Sequence, residues 1–543
     1  MAGGRVFAVI LLFRVSLLVS KWINAVTSIL QSIAIRRPGG NVDRAAAFRF
    51  ALGLTVTAVP FLAYSFFILD HFYRSGALLN DSGYLAHMMF AGGPALLVGQ
   101  SVLGNSSFYA FHVSPLFTLL SFVTQRLPLS VPQLFALYAG ACHALLTVGV
   151  FWMLTGPYRM RSMGQASLAG LLALGFGFNG VALGMIKFPH FEILIPASLI
   201  LFLIAWSQGR LVIASLFFAV ALAVREDAGL QIFALLGMLA VLDRWMGFAG
   251  RRERGTIVFL AIGLAYSLAA IMAQRMEFSV TSLLTANYLG DPPFSRLTWQ
   301  LVLTRFFGYF TYRAYIMLPA LCAIAWAAIT RNPYIIVGYL AFAPWFVLQL
   351  LSVNDAIGTI PYHYAYPFIL ASFWPLIGVW VSNRRGRRLT NIRGTIVGFA
   401  AILAASYVGV ARQANPSGAD LWHAFTSVPS FREERSVDDA IRVLHDAHAE
   451  LGRVAVEDGV AALGPDDYAQ NETFWLDPPR SADTVIYFPS GYRATAARQL
   501  IASENLQYSY AIIGTPIRMA TDRALPDMPR LAPFLVSVGH EPR

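Results

Sequence analysis

Cysteine and charge are both scarce in this 543-residue sequence, and each scarcity excludes a class of protein. The two cysteines, Cys142 and Cys322, fall inside apolar segments, which excludes a disulfide framework and a cysteine-based zinc site. Any metal site must therefore use histidines and carboxylates. Charged residues make up only 13% of the chain, whereas 57% of the residues are hydrophobic and the mean hydropathy is +0.58. This composition excludes a soluble globular protein.

Many apolar runs are long enough to cross a membrane, because about 20 helical residues span the ~30 Å hydrocarbon core. The pattern predicts a polytopic α-helical membrane protein with eleven transmembrane helices. The predicted spans are residues 46–69, 131–155, 165–186, 191–207, 211–224, 228–243, 255–273, 314–330, 334–352, 362–381 and 394–411. A further apolar stretch near 111–127 is interpreted as a surface or re-entrant helix, because basic loops then alternate regularly along the chain.

The alternation of basic loops predicts an orientation and a domain organisation. Basic residues are retained on the cytoplasmic side, so the arginine-rich loops and the N-terminal segment 1–45 are predicted inside. The transmembrane domain is 46–411, with long outer loops at 70–130 and 274–313, and 412–543 lies outside. This topology explains the formal net charge of +11, so no nucleic-acid partner is indicated.

Residues 412–543 differ in character from the rest of the chain. A helical pattern, SVDDAIRVLHDAHAEL, precedes the strand-like runs RVAVE, DTVIYFP and YAIIGTPI, and a second helical pattern, ATAARQLIASEN, separates the last two runs. The alternation predicts a small α/β domain of about 110 residues. It has no Gly-rich phosphate loop, so nucleotide binding is not indicated.

Ionisable residues of the transmembrane region gather at the predicted outer ends of the spans, which indicates a site there. Asp81 follows the first span in the turn-like sequence Asn80-Asp81-Ser82-Gly83. One interpretation is structural, with the carboxylate closing a turn or capping a helix. The other interpretation is a general base that removes a proton from an acceptor hydroxyl. The residue alone leaves both interpretations open.

His190 and Glu192 lie between the third and fourth spans. Two ligand-type side chains at positions i and i+2 converge on one ion if the backbone is extended, and Pro189 favours an extended residue before it. The cofactor that such a pair takes is a divalent metal ion, Mg²⁺ or Mn²⁺, and no other cofactor is indicated. The alternative is interfacial anchoring by His190 and capping of the next helix by Glu192.

The triplet Arg225-Glu226-Asp227 is energetically the most demanding feature of the transmembrane region. The apolar run before it, 211–224, is only about 21 Å long as a helix, so the triplet lies below the outer membrane surface. A recessed guanidinium suits a phosphate or pyrophosphate. The alternative is an internal ion pair that joins two helices.

Two histidines are further candidates for contact with a phosphate or a sugar. His112 precedes the surface helix, and His363 lies in an outer loop among Tyr362, Tyr364 and Tyr366. The tyrosines suit a sugar-stacking rim, but an aromatic belt at the membrane interface explains them equally well.

Four motifs resemble the bacterial membrane-protein family designated domain of unknown function 2079. They are Asp81-Ser82-Gly83, His112-Val113-Ser114-Pro115, Phe188-Pro189-His190-Phe191-Glu192 and Val224-Arg225-Glu226-Asp227-Ala228-Gly229. That family is similar to the GT-C superfamily of polytopic glycosyltransferases, and the resemblance covers residues 46–380. It implies a GT-C-like transmembrane domain in the inner membrane of a bacterium.

The resemblance also implies an activity: inverting transfer of a sugar from a polyprenyl-phosphate donor, held among membrane lipids, to an envelope glycan, lipid or protein. Asp81 would be the catalytic base. The donor phosphate or sugar would be bound by Arg225, His112, Glu226, Asp227 and His363, and a metal ion by His190 and Glu192. Two alternatives remain open: a transporter or flippase-like protein whose path is lined by the same groups, and a non-enzymatic envelope scaffold.

Overall fold

The computed structural model describes residues 44–75, 85, 107–110, 112–124, 126–127, 129–186, 190–248, 252–278, 288–290, 292–295, 297–354, 358, 360, 362–385, 391–411, 431–461, 463, 481–491 and 493–538. Most of these residues are helical, and a small sheet lies near the C-terminus.

Up to residue 411 the described elements are helices. They are α1 (Arg44–Ser75), α2 (Pro115–Thr124), α3 (Val131–Thr155), α4 (Met163–Gly177), α5 (Gly180–Ile186), α6 (Leu194–Ser207), α7 (Leu211–Val224), α8 (Ala228–Trp245), α9 (Arg252–Phe278), α10 (Trp299–Tyr312), α11 (Ala314–Thr330), α12 (Val337–Leu350), α13 (Pro367–Arg384) and α14 (Ile392–Ala411). Among the described residues, six helical segments are long and apolar enough to cross a membrane, or up to eight if each of two bent pairs is one span. The predicted helical class with several candidate membrane spans is therefore confirmed, and the number of eleven spans stays a prediction.

The predicted span 165–186 consists of two helices, α4 and α5, which meet at an angle of 43°. Asn179 lies between them. Its side-chain oxygen accepts hydrogen bonds from the N–H groups of Val181 and Ala182 at 2.9 and 3.1 Å. This side chain therefore caps a new helix and takes the place of the continuing helical ladder.

The region 274–313, predicted as an outer loop, contains the helix α10, which meets α11 at 87°. The helix α10 buries Val302, Arg305 and Tyr309, which lie three and four residues apart on one face. The Arg305 side chain donates to the carbonyl oxygens of Leu350 and Ser352 at 3.1 and 2.5 Å. The helix thus packs on the loop that follows α12.

Polar contacts between α1 and α3 define the two ends of the bundle. Near the end of α1, the hydroxyl oxygen of Tyr73 lies 2.9 Å from that of Ser130, which caps the start of α3. At the opposite end, the Arg49 guanidinium donates to the carbonyl oxygen of Arg161, beyond the end of α3, at 2.7 Å. The two helices are antiparallel, and we call these ends the Tyr73 end and the Arg49 end.

The helices α8 and α9 cross closely at Gly229 and Gly263. A Cβ atom on Gly229 would lie 2.1 Å from the carbonyl oxygen of Gly263, so this approach requires glycine. The crossing brings Ser267 of α9 to the turn between α7 and α8, where its hydroxyl donates to the carbonyl oxygen of Glu226 at 2.5 Å. The turn that carries the charged triplet is fixed by this contact.

The C-terminal region is an α/β unit, as predicted. It comprises α15 (Phe431–Asp446), β1 (Val454–Val456), α16 (Asp458–Ala461), β2 (Thr484–Tyr487), α17 (Ala494–Ser503), β3 (Tyr508–Ile512), β4 (Arg518–Thr521) and β5 (Leu535–Ser537). The strand order is β1-β2-β4-β3-β5; β1 and β2 are parallel, and the other pairs are antiparallel. In the predicted run YAIIGTPI, only residues 510–512 belong to a strand, β3. The chain then turns at Gly514, whose φ of 77° favours glycine, and β4 begins directly after the run.

The helix α15 packs against α1 at the Tyr73 end. Its residue Asp438 is half-buried and forms a side-chain hydrogen bond with Tyr73. Burial raises the pKa of Asp438 to about 6, while the hydrogen bond from Tyr73 and the charge of Arg442 act in the opposite direction. The C-terminal unit therefore contacts the bundle at its Tyr73 end.

Candidate functional site

Several of the predicted site residues meet at the ends of α6, α7 and α13. Before α6, His190 is extended at φ −136° and ψ 149°, and Glu192 lies in a short 3-10 turn. After α7, Arg225 is extended at φ −159° and ψ 151°, and Asp227 immediately precedes α8. Tyr366 immediately precedes α13. Because these helix ends are adjacent, residues distant in sequence form one charged cluster.

Arg225 is the centre of this cluster. Its Nε atom donates to Oδ1 of Asp227 at 2.6 Å, its Nη1 atom donates to the carboxylate of Glu192, and its Nη2 atom donates to the Asp227 carboxylate and, at 3.1 Å, to the Tyr366 hydroxyl. The Tyr366 hydroxyl donates to Oδ2 of Asp227 at 3.2 Å and accepts from Nε2 of Gln231 at 2.5 Å. The structure therefore contains the internal ion pair that was the alternative to a phosphate-binding arginine.

Burial makes the ion pairs of the cluster energetically important. The side chains of Arg225 and Glu192 are 8% and 1% exposed, and that of Asp227 is 14% exposed. Removal of either charge from such a pair leaves the other one desolvated and uncompensated. Most of the donors of Arg225 are committed to carboxylates, so a phosphate can reach the guanidinium only by exchange with one of them.

A second polar link joins the segment before α2 to the same turn. The Nδ1 atom of His112 lies 2.9 Å from Oε1 of Glu226, and the N–H of Val113 donates to Oε2 of Glu226 at 2.9 Å. Because an ionised carboxylate only accepts, Nδ1 of His112 carries the proton in this contact. With Glu192 and Asp227, the site holds three carboxylates beside one guanidinium.

The pair predicted to bind a metal ion is close in space. The Nδ1 atom of His190 lies 3.5 Å from Oε1 of Glu192, and both residues are buried. The Glu192 carboxylate is at the same time paired with Arg225. Within the described part of the chain, no group of three or more His, Cys, Asp or Glu side chains is arranged to hold a metal ion.

Two predicted site residues are not placed by the structure. Asp81 lies outside the described residues, and His363 lies in the 3-10 helix Tyr362–Ala365 with its side chain outside the description. Gln231 belongs to the cluster and was not predicted. The only signal for it was a polar residue one turn after Asp227 in an apolar helix. Tyr366, predicted as a rim or belt residue, is instead fully buried.

The sequence matches no protein-family model, and no curated protein is significantly similar to it. The resemblance to GT-C glycosyltransferases therefore depends on the short motifs described above.

Proposed function

We propose that this chain is a multi-pass membrane glycosyltransferase that moves a sugar from a polyprenyl-phosphate donor to a cell-envelope acceptor with inversion. The observation that supports the proposal is the buried charged cluster around Arg225. Maintaining ion pairs inside an apolar helix bundle is costly, and ionisable residues at such depth mark functional sites. The C-terminal unit contacts α1 at the Tyr73 end of the bundle.

The general base in this proposal is Asp81. It follows the end of α1 at Ser75 by six residues, and six residues reach at most about 20 Å. The Tyr73 end of the bundle is therefore within reach of Asp81. The base would remove the proton of the acceptor hydroxyl while the sugar leaves its phosphate, a step in which general-base catalysis contributes roughly 10²–10⁴-fold.

Binding of the donor phosphate is assigned to Arg225 and His112. Of the two carboxylates bound to Arg225, Asp227 is the more exposed and is the one that a phosphate would displace. Glu192 would remain as the buried partner that fixes the guanidinium. His112, with a side chain 28% exposed, would supply a second donor through Nε2 when the ring carries both protons, because Nδ1 is bound to Glu226. Preorganised donors of this kind stabilise a leaving phosphate.

The proposal also requires a particular orientation of the chain in the membrane. Eleven spans would place the N-terminus in the cytoplasm and the C-terminal unit outside the inner membrane of a bacterium. Single cysteines introduced at positions 81 and 112 should then react with a membrane-impermeant thiol reagent from the outer side. Reaction of the two positions from opposite sides would contradict a common site.

Sugar transfer from polyprenyl-phosphate donors to envelope acceptors, measured in membranes, tests the activity. Asp81→Asn should lower the rate by at least roughly 100-fold because the general base is lost. Asp291→Asn, which removes another carboxylate of the predicted outer loops, is the matched control and should retain the rate. Full activity of Asp81→Asn would remove the catalytic role of Asp81.

A transporter is the second candidate, and the bent helices favour it. Broken helices are typical of transporters, and the α4–α5 and α10–α11 pairs are bent by 43° and 87°. The Arg313 residue between α10 and α11 donates from Nε to the carbonyl oxygen of Ile360 at 2.7 Å, which holds the bend on a neighbouring loop. Sugar-lipid counterflow that persists in Asp81→Asn would support transport over transfer.

A further inference from the structure

The Arg49 end of the bundle contains a cleft with four arginines. Arg159 and Arg161 come from the loop after α3, Arg210 from the turn between α6 and α7, and Arg384 from the end of α13. The cleft encloses a cavity of about 530 Å³. We call it the arginine cleft, and it lies at the opposite end of α6, α7 and α13 from the charged cluster.

Among the described residues that line the arginine cleft, the positive charge is in excess. No carboxylate is found among the described residues that line it. The Arg384 guanidinium donates to the carbonyl oxygen of Ser207 at 2.9 Å, which holds it at the rim. Four like charges at one cleft repel one another, so an anion bound there gains from all of them at once.

Two aromatic rings hold arginines of the cleft in place. The Arg210 guanidinium lies 5.9 Å from the ring centre of Trp152, and that of Arg384 lies 5.6 Å from the ring centre of Trp380. Such cation–π contacts fix a guanidinium without neutralising it. The backbone at Arg159 has a φ of 55°, a left-handed conformation that residues other than glycine seldom adopt.

Two buried donors also belong to the cleft. The Nε2 atom of Gln208 and the Nε1 atom of Trp380 are buried and have no hydrogen-bond partner among the described residues. Both residues line the arginine cleft. Buried donors are normally paired, and two unpaired N–H groups beside four guanidinium groups match an oxygen-rich anion.

We propose that the arginine cleft binds the phosphate group of an anionic membrane phospholipid. A second cavity of about 410 Å³ shares Pro157, Trp380 and Arg384 with the cleft and is lined further by Tyr158 and Ile392. Its largely apolar wall suits the glycerol and the first acyl carbons of a lipid. Tryptophans at helix ends are typical of the headgroup level, which favours a lipid over a soluble phosphate.

The retention of arginines on the cytoplasmic side explains a basic end of the bundle but not this arrangement. Topology requires only charge in short loops, wherever the side chains lie. The convergence of three separate chain segments, the two tryptophans and the unpaired donors are specific to the cleft. The inference is independent of the glycosyltransferase proposal, since the two sites lie at opposite ends of the bundle.

The test is lipid binding to the purified full-length protein in a neutral detergent. The probes are short-chain phosphatidylglycerol, short-chain phosphatidylcholine and inorganic phosphate. The double substitution Arg159→Gln with Arg210→Gln removes two charges from the cleft. The matched control, Arg244→Gln with Arg393→Gln, removes two exposed arginines of the same end that do not line it.

Phosphatidylglycerol should bind at least tenfold more tightly than phosphatidylcholine, and high salt should reduce this preference. The cleft substitution should weaken phosphatidylglycerol binding by roughly 30-fold, because each basic residue near a membrane surface contributes about a fivefold factor. The control pair should change it less than twofold. If the glutamine pair fails to fold, Arg159→Lys with Arg210→Lys, which keeps the charge, should retain most of the binding.

Three outcomes would overturn the proposal. Equal binding of the two lipids would exclude recognition of an anionic headgroup. Equal weakening by the cleft pair and the control pair would show that overall charge, not the cleft, attracts the lipid. Displacement of phosphatidylglycerol by millimolar inorganic phosphate, with the same dependence on Arg159 and Arg210, would assign the cleft to a soluble phosphate and not to a lipid.

Discussion

Arg225 and Glu192 are 33 residues apart in sequence and form a buried ion pair that joins the start of α6 to the turn between α7 and α8. The same guanidinium binds Asp227 in its own turn. One arginine therefore fixes two carboxylates and two helix ends, and the site depends on it both structurally and chemically.

Arg225→Gln should destabilise the protein by about 3–5 kcal/mol, because Glu192 and Asp227 would remain buried without their counter-charge. Denaturant unfolding in a fixed detergent measures this loss. Arg244→Gln, an exposed arginine on α8, should change the stability by less than about 0.5 kcal/mol. Arg225→Lys should not restore the wild-type value, because an ammonium lacks the planar fork that reaches both carboxylates. Similar effects of Arg225→Gln and Arg244→Gln would contradict this account.

A double-mutant cycle on His112 and Glu226 should show coupling of about 0.5–3 kcal/mol, because the two side chains are in direct contact. Glu226→Gln should also cost more than His112→Ala. The reason is that the carboxylate accepts from the backbone of Val113 as well as from His112. Unfolding free energies of the two single variants and the double variant give both quantities. Strictly additive effects would show that the contact between His112 and Glu226 contributes no coupling energy.

Glu457 lies directly after β1. Its ionisation should make the C-terminal unit less stable as the pH rises from about 4.5 to about 7. Burial raises the pKa of Glu457 from 4.5 to about 7, although its carboxylate accepts from the N–H groups of Phe488 and Arg493 at 2.8 and 3.1 Å. In this window the folded state binds the proton and the unfolded state does not. Stability should therefore fall by up to about 1.4 kcal/mol for each pH unit.

Hydrogen exchange of the β1 and β2 amides in the full-length protein, corrected for the intrinsic pH dependence of exchange, measures this slope. Glu457→Gln should flatten it, because glutamine does not titrate. Asp527→Asn, at an exposed carboxylate of the same unit, serves as the comparison and should leave the slope unchanged. A pH slope that persists in Glu457→Gln would assign it to another group.

Tyr73→Phe should weaken the contact between α15 and α1 and raise the pKa of Asp438 above its wild-type value of about 6. The phenol stabilises the ionised carboxylate by donating to it, so its loss favours the protonated form. Ionisation of Asp438 lowers the hydrogen-exchange protection of α15 over a certain pH range. In the variant, this range should extend to higher pH. Hydrogen exchange of the α15 amides measures the effect. Ser130→Ala removes the other hydroxyl near Tyr73 and should leave this window in place.

Apolar runs and helix signals gave most of the architecture correctly. The helices α1, α3 and α14 lie close to their predicted spans. Of the five strands, β1 and β2 lie within predicted strand-like runs and β3 overlaps a third run in part. The exceptions have local physical causes. Asn179 starts a new helix within one apolar run, and α10 is an amphipathic helix whose buried face includes Arg305, so hydropathy alone does not reveal it.

The sequence predicted which residues belong to the candidate site, but it did not predict which of them form hydrogen bonds and ion pairs with one another. The motifs indicated that Glu192, Arg225 and Asp227 belong together at one end of the spans. They did not indicate that Arg225 would bind two carboxylates and Tyr366, because hydrogen-bond partners depend on the lateral positions of helices.

By itself, the sequence determined that the chain is a helical membrane protein with a C-terminal α/β unit, because apolar runs and strand patterns are local properties. Only the tertiary structure decided which helix ends meet. That decision placed Arg225 between Glu192 and Asp227 at one end, and gathered Arg159, Arg210 and Arg384 around a cleft at the other. Side chains from distant segments become neighbours through helix packing, and packing depends on the whole bundle rather than on any one segment.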